Sequence, residues 1–351
     1  MALTVNTNLS SIIAQRSLTN ATNGMNTSLE RMSTGYKINH SKDNAAGYSI
    51  ANKWETQLGS LDVAANNAAT GMDLLTTAEE TYSLLTSHLQ RVRDLTEQAA
   101  NGTYGSASLK SIQAEVYARL QEITRIAANA EFNGIKLMAF DTALGADNSD
   151  VGMTKDGINL QVGLYSDEHS RINLNVSCFA DASVSGLFNS LTNKEGDTLS
   201  TIFTSKNLKG ADVDGSIPDK FNTKLGMELF AAACTGLVVS DYDDTNEKST
   251  LVLANDTKGV AAKDMLEFID GAINEISDRA TKIGAAQNRV ESAITALDVQ
   301  SQNITSSLST LRDTDIASES SSYIQQQILQ QASATLLSTA NQLPSIALNL
   351  I

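Results

Sequence analysis

Apolar positions recur with the period of a coiled coil towards the C-terminal end of the chain. Stepping alternately by three and four from Leu266 passes Ile269, Ile273, Ile276, Ala280, Ile283, Gln287, Val290, Ile294, Leu297, Ser301, Ile304, Leu308 and Leu311. Gln287 and Ser301 alone interrupt the seam. A step averaging about 3.5 keeps one stripe facing a partner helix. At ~1.5 Å rise per residue such a helix is roughly 70 Å long, too long to hide its stripe by itself. A matching stripe lies nearer the N-terminus, through Leu58, Leu61, Ala65, Ala68, Met72 and Leu75, then Ala78, Tyr82, Leu85, Leu89, Val92 and Ala99. The three-residue slip between Leu75 and Ala78 resembles a stammer, which overwinds a helix pair locally. A third run, Leu109–Ala127, sets Ile112, Val116, Leu120, Ile123 and Ala127 on one face. The pattern predicts a mainly α fold in which the N- and C-terminal halves pack side by side as a long helical rod. Periodicity alone leaves a self-contained bundle equally open.

Between the helical runs the pattern changes. Ile158–Val162 and Ile172–Val176 alternate about a polar segment, which predicts a hairpin. Glu131–Met138 carries Asn133-Gly134 between apolar positions, the strongest short hairpin signal. Residues of about 180–258, rich in Asp, Gly, Ser and Thr, read as a separate small domain inserted into the rod as an α/β or β region. Only Pro218 and Pro344 are available to interrupt helices. With aromatics at 5%, one thick globular core is disfavoured.

The extreme ends tip the balance between a closed bundle and a polymer. Val5, Leu9, Ile12, Ile13, Leu18, Met25, Leu29 and Met32 form one apolar face. Ile324, Ile328, Leu329, Leu336, Leu337, Ala340, Leu343, Ile346 and Leu350 form another. Terminal helices are normally frayed and polar. Apolar ones imply burial, and further copies of the same chain are the economical partner.

Charge and chemistry narrow the function. A net charge of −15 disfavours nucleic acid and anionic membrane surfaces as partners. No apolar run approaches the roughly 20 residues of a bilayer span, so no membrane insertion is expected. The first twenty residues lack the basic and apolar regions of a cleaved secretion signal. His40, His88 and His169 are isolated, with no HExxH pair, no Gly-rich phosphate loop and no GxSxG elbow. Glu79-Glu80 and Asp243-Asp244 read as solvated surface, and Trp54 as packing. No catalytic, cofactor or metal site can be assembled, so the expectation is a protein that is not an enzyme and carries no cofactor. Cys178 and Cys234 read as ordinary thiols, with a disulfide formed after export as the alternative.

Particular strings then become recognisable. Val5-Asn6-Thr7-Asn8, Leu29-Glu30-Arg31-Met32-Ser33-Thr34-Gly35, Ile38-Asn39 and Lys42-Asp43-Asn44-Ala45-Ala46-Gly47 stand near the start. Leu89-Gln90-Arg91-Val92-Arg93-Asp94-Leu95, Gln98–Thr103, Ile112–Glu115 and Phe132-Asn133-Gly134 follow. Asp313–Ala317, Gln327–Ala332 and Ala340–Pro344 stand near the end. In order and at both ends, these strings resemble bacterial flagellins over roughly 1–140 and 260–351.

The resemblance implies a layered filament subunit. Residues 1–44 and 306–351 would form the inner-core helical domain, with Leu9, Ile12, Leu29, Ile328, Leu336, Leu343 and Leu350 in its packing. Residues 45–177 and 259–305 would form the outer-wall rod with its β-hairpins, and 178–258 the variable surface domain. Motility and an extracellular filament are implied, reached unfolded through a type III export channel. A homopolymer is implied as the main partner, beside an export chaperone, a cap and hook-associated proteins. Residues of about 1–40 and 306–351 are expected to order only on assembly. The resemblance also implies recognition by a host Toll-like receptor at Arg91, Leu95 and Glu115, positions that equally serve packing between subunits. The chain departs from the family at Thr96-Glu97, often apolar elsewhere, at Asp94 in place of Glu, and in having cysteines. The alternative within the superfamily is a hook–filament junction protein, which shares the terminal pattern but diverges in the helix bearing Arg91.

Overall fold

The computed structural model describes residues 8–101, 103–138, 157–174, 179, 181–188, 230–234, 237–243, 248–253 and 262–348. Helices dominate: α1 (Leu9–Thr34), α2 (Ala45–Ala100), α3 (Ser106–Asn129), the short α4 (Val184–Phe188), α5 (Ala262–Arg312) and α6 (Ile316–Leu348). Among the described residues, three two-stranded antiparallel hairpins interrupt them: β1 (Glu131–Phe132) with β2 (Ile135–Lys136), β3 (Ile158–Gln161) with β4 (Arg171–Leu174), and β5 (Leu237–Asp243) with β6 (Lys248–Leu253). Most of the central segment expected as a separate domain, including Cys178, lies outside the described residues, as do Leu350 and Val5.

The chain forms two compact units. One takes residues 1–63 and 297–351, the other 64–296, so α2 and α5 each contribute to both.

The second unit holds the main core. From α2 it takes Ala68, Leu74, Leu75, Ala78, Tyr82, Leu85, Leu89, Val92 and Leu95. The face predicted on α3 is buried in full, from Ile112 to Ala127, and α5 adds Ile269, Ile276, Ile283 and Val290. Leu74 and Leu75 are both buried, so the α2 stripe broadens where the slip was expected. A helix packed between two others needs more than one apolar seam. Gln287, the polar break in the α5 seam, donates to Glu79 Oε2 on α2 at 2.8 Å. Arg93 ties the same helices together through Asp270, at 2.6 Å.

Both predicted hairpins form. Asn133 (φ 50°) and Gly134 (φ 79°) take the two left-handed positions of a type I′ turn, which matches the natural twist of a hairpin. The β3–β4 hairpin pairs Ile158 with Leu174 and Leu160 with Ile172. It seats on α2 where Gly71 leaves room, since a Cβ there would fall 2.3 Å from Leu160 Cδ1. Asn67 Nδ2 also donates to the Gln161 carbonyl, at 3.2 Å.

Two oddities of the sequence meet in this core. Thr96 is fully buried and hydrogen-bonded to the Cys234 thiol. A thiol in place of an aliphatic group gives a buried hydroxyl a polar neighbour, and Thr96 Oγ1 also donates to the Val92 carbonyl at 2.8 Å. Burial pushes the Cys234 thiol up to about 12, and the residue is a free cysteine.

Candidate functional site: an exposed apolar helix pair

The first unit is built on α1 and α6. They run antiparallel: Asn8 Nδ2 donates to the Ala340 carbonyl (2.7 Å), Gln330 Nε2 to Thr22 Oγ1 (3.2 Å), and Arg31 lies 3.8 Å from Glu319. Asn8 caps α1 by accepting from the Ser11 N–H at 3.1 Å, as expected of an N-cap asparagine.

The seam of this pair is small. On α1 the buried residues are Ala14, Ala21 and Ser28, seven apart, and among the described side chains of α6 they are Ser333 and Ala340, also seven apart. Gly24 sits against the Gln326 side chain. Seven-residue spacing keeps each set on one face, and small side chains let the helices approach closely.

Leu18, Met25, Met32 and Leu337 are half-buried, but other large apolar residues are exposed to solvent. Leu9 is 64% exposed, Ile12 55%, Leu29 52%, Ile328 60% and Leu336 63%. Ile13, Ile316, Ile324 and Leu329 are exposed as well. Isolated exposed leucines are ordinary, but a face of this extent on paired helices marks an interaction surface. Leu343 lies on α6, but its side chain is outside the described residues.

A second cluster lies on α2 and α3. Arg91 and Glu115 meet there, with Arg91 Nε donating to Glu115 Oε1 at 2.9 Å on the surface. Arg119 stands 3.9 Å from the same carboxylate and 3.5 Å from His88 Nδ1. Burial, then the charge of Arg119, holds His88 below its ordinary 6.5. Leu95 does not join this surface. It is 2% exposed, because it continues the core stripe from Val92 towards Ala99. The family resemblance grouped it with Arg91 and Glu115, whereas its side chain lies in the core beneath them.

Among the described residues no group of three or more His, Cys, Asp or Glu is placed to hold a metal ion. No described helix is long and apolar enough to cross a membrane.

Comparisons with known proteins agree with this architecture. Residues 5–142 match the bacterial flagellin N-terminal helical region, and 266–351 the bacterial flagellin C-terminal helical region. Over the whole of both chains, this protein is 33% identical to polar flagellin F of Vibrio parahaemolyticus. It is likewise 34% identical to flagellin B and 35% to flagellin D of Vibrio cholerae, again over the full length of each. A solved structure titled "3D structure of FliC from Burkholderia pseudomallei" covers 62% of this chain and 99% of its own, at 17% identity and a TM-score of 0.34, and adds nothing to the assignment. With both terminal regions matched and full-length relatives above 30% identity, the chain belongs to the bacterial flagellin family, the structural subunits of the flagellar filament.

Proposed function

We propose that this chain polymerises through α1 and α6, whose exposed apolar faces are buried against neighbouring subunits. One observation carries the reading: the α1/α6 seam uses small residues, while Leu9, Ile12, Leu29, Ile328 and Leu336 face outward. Each large apolar side chain moved out of water contributes about 1.5–3 kcal/mol, offset by the entropy of ordering the helices. Such ends gain order on assembly, because only there is the apolar face covered. Residues 1–44 and 306–351 are assigned to the inner layer, 45–177 and 259–305 to the outer wall, and 178–258 to the variable surface. The role is structural and not enzymatic, in an extracellular filament reached by type III export with chaperone, cap and hook-associated partners.

Deleting residues 306–351 should abolish filaments in negative-stain electron microscopy while the 64–296 unit stays folded by circular dichroism. Normal tubes from the truncated chain would refute the mechanism. The hook–filament junction alternative predicts no tubes from the full chain either.

A host Toll-like receptor is a second proposed partner, supported by the solvent-facing Arg91–Glu115 pair. Leu95 would act from beneath this surface by holding α2 in place. Arg91→Ala should lower receptor-reporter signalling by monomers roughly tenfold or more, the scale of a central arginine contact. Unchanged signalling would remove the assignment.

A further inference from the structure

Four helix ends converge in the first unit. α1 ends at Thr34 and α5 at Arg312, while α2 begins at Ala45 and α6 at Ile316. The two breaks are stitched together by the backbone. Lys37 N donates to the Arg312 carbonyl at 2.7 Å, Thr314 N to the Gly35 carbonyl at 2.9 Å, and Tyr36 pairs with Asp313 as an isolated bridge. Gly35 makes the turn possible by taking φ 76° as the C-cap of α1.

Charges at this joint complement the helix dipoles. The C-terminal ends of α1 and α5 carry Arg31 and Arg312 in their last turns, and Lys37 Nζ donates to the Thr310 carbonyl of α5 at 2.8 Å. The N-terminal ends carry acceptors. Asn44 Oδ1 receives the Gly47 N–H at 2.9 Å, and Asp315 Oδ1 receives the Ala317 N–H at 2.8 Å.

Arg312 reaches from α5 to both the segment after α1 and to α2. Its guanidinium carbon lies 4.1 Å from the centroid of the Tyr36 ring, its NH1 lies 3.3 Å from Glu55 Oε2 on α2, and its carbonyl holds Lys37. The Arg312 side chain is 19% exposed but that of Glu55 is 63% exposed, so the ion pair by itself is weak. The contact with Tyr36 adds a cation–π attraction, and a flat guanidinium covers the ring more fully than an ammonium does.

We propose that Arg312 is a latch between the two ends of the chain. By closing on Tyr36 and Glu55 it fixes the joint, and so couples the ordering of α1 and α6 to the pairing of α2 with α5. The consequence for assembly rests on the filament reading above, while the latch itself does not.

The test uses the full-length chain with Arg312→Lys, Tyr36→Leu and Tyr36→Phe. Amide exchange is read at Lys37 and Thr314, whose N–H groups form the stitch, with α3 amides as the folding control. Arg312→Lys and Tyr36→Leu should each speed exchange at both amides about three- to tenfold, without adding in the double variant. Tyr36→Phe, which keeps the ring face, should behave as the parent, and α3 should not change. Elongation from filament seeds should slow in the same order. Unchanged exchange at Lys37 and Thr314 in the first two variants overturns the latch. Parental elongation by variants with a loosened joint overturns the coupling. If the parent itself fails to elongate seeds, the filament reading fails, and exchange still decides the latch.

Discussion

Asp43 shows how single residues in this chain are fixed by local backbone needs. Its carboxylate accepts from the His40 N–H at 3.0 Å and the Asn39 N–H at 3.2 Å, closing the loop that leads into α2. Its folded-state carboxyl is held below the ordinary 3.8, first by the His40 N–H. A depressed carboxyl stabilises the fold fully above 3.8 and loses that contribution as the pH falls through its folded value. Acidification below 3.8 should therefore speed amide exchange at Asn39 and His40, whereas Asp43→Asn should remove that pH dependence. The same pH response in both proteins would contradict the assignment. The strings LERMSTG and KDNAAG were legible as a family signature, but their physical content was not. Gly35 is a left-handed cap, and Asp43 and Asn44 are acceptors for free N–H groups. Such caps depend on where a helix stops, which periodicity locates only to within a turn. Thr96 is similar: it read as a departure from the family, and only the fold brings Cys234 beside it.

Elements were read more securely than residues. The α5 seam from Leu266 to Leu311 lies on a helix of Ala262–Arg312, and the stripe on α3 is buried residue for residue. The Asn133-Gly134 turn and the Ile158 and Ile172 strands form as the alternation predicts. The seam between α1 and α6 was not legible. The pattern is dominated by large apolar residues and includes only Ala340 of the seam, whereas the pair closes on Ala14, Ala21, Ser28 and Ser333 as well. Small residues carry little hydrophobic signal, so a seam made of them is hidden by the stronger pattern on the opposite face. Ala21→Leu should wedge the pair apart at about 1–3 kcal/mol and raise the critical concentration for assembly by about tenfold. A parental critical concentration would mean that the close approach is not needed.

At the scale of the whole molecule, apolar surface is divided between two uses. The 64–296 unit encloses large side chains such as Tyr82, Phe179, Phe188, Phe230 and Phe268, as a domain that folds alone would. The N- and C-terminal helices leave theirs outside, which a subunit does when its copies complete the fold. Arg279, 5% exposed, secures the segment around Asp181 by donating to the Asp181 carbonyl at 2.9 Å, so the start of the central segment is tied to α5 within the same unit. The central claim is that Leu9, Ile12, Leu29, Ile328 and Leu336 become buried between subunits. Hydroxyl-radical footprinting of monomer and filament measures this directly. The account predicts strong oxidation of these five side chains in the monomer and protection of all of them in the filament, with Leu85 and Val116 protected in both. Equal oxidation of the five in monomer and filament would contradict it.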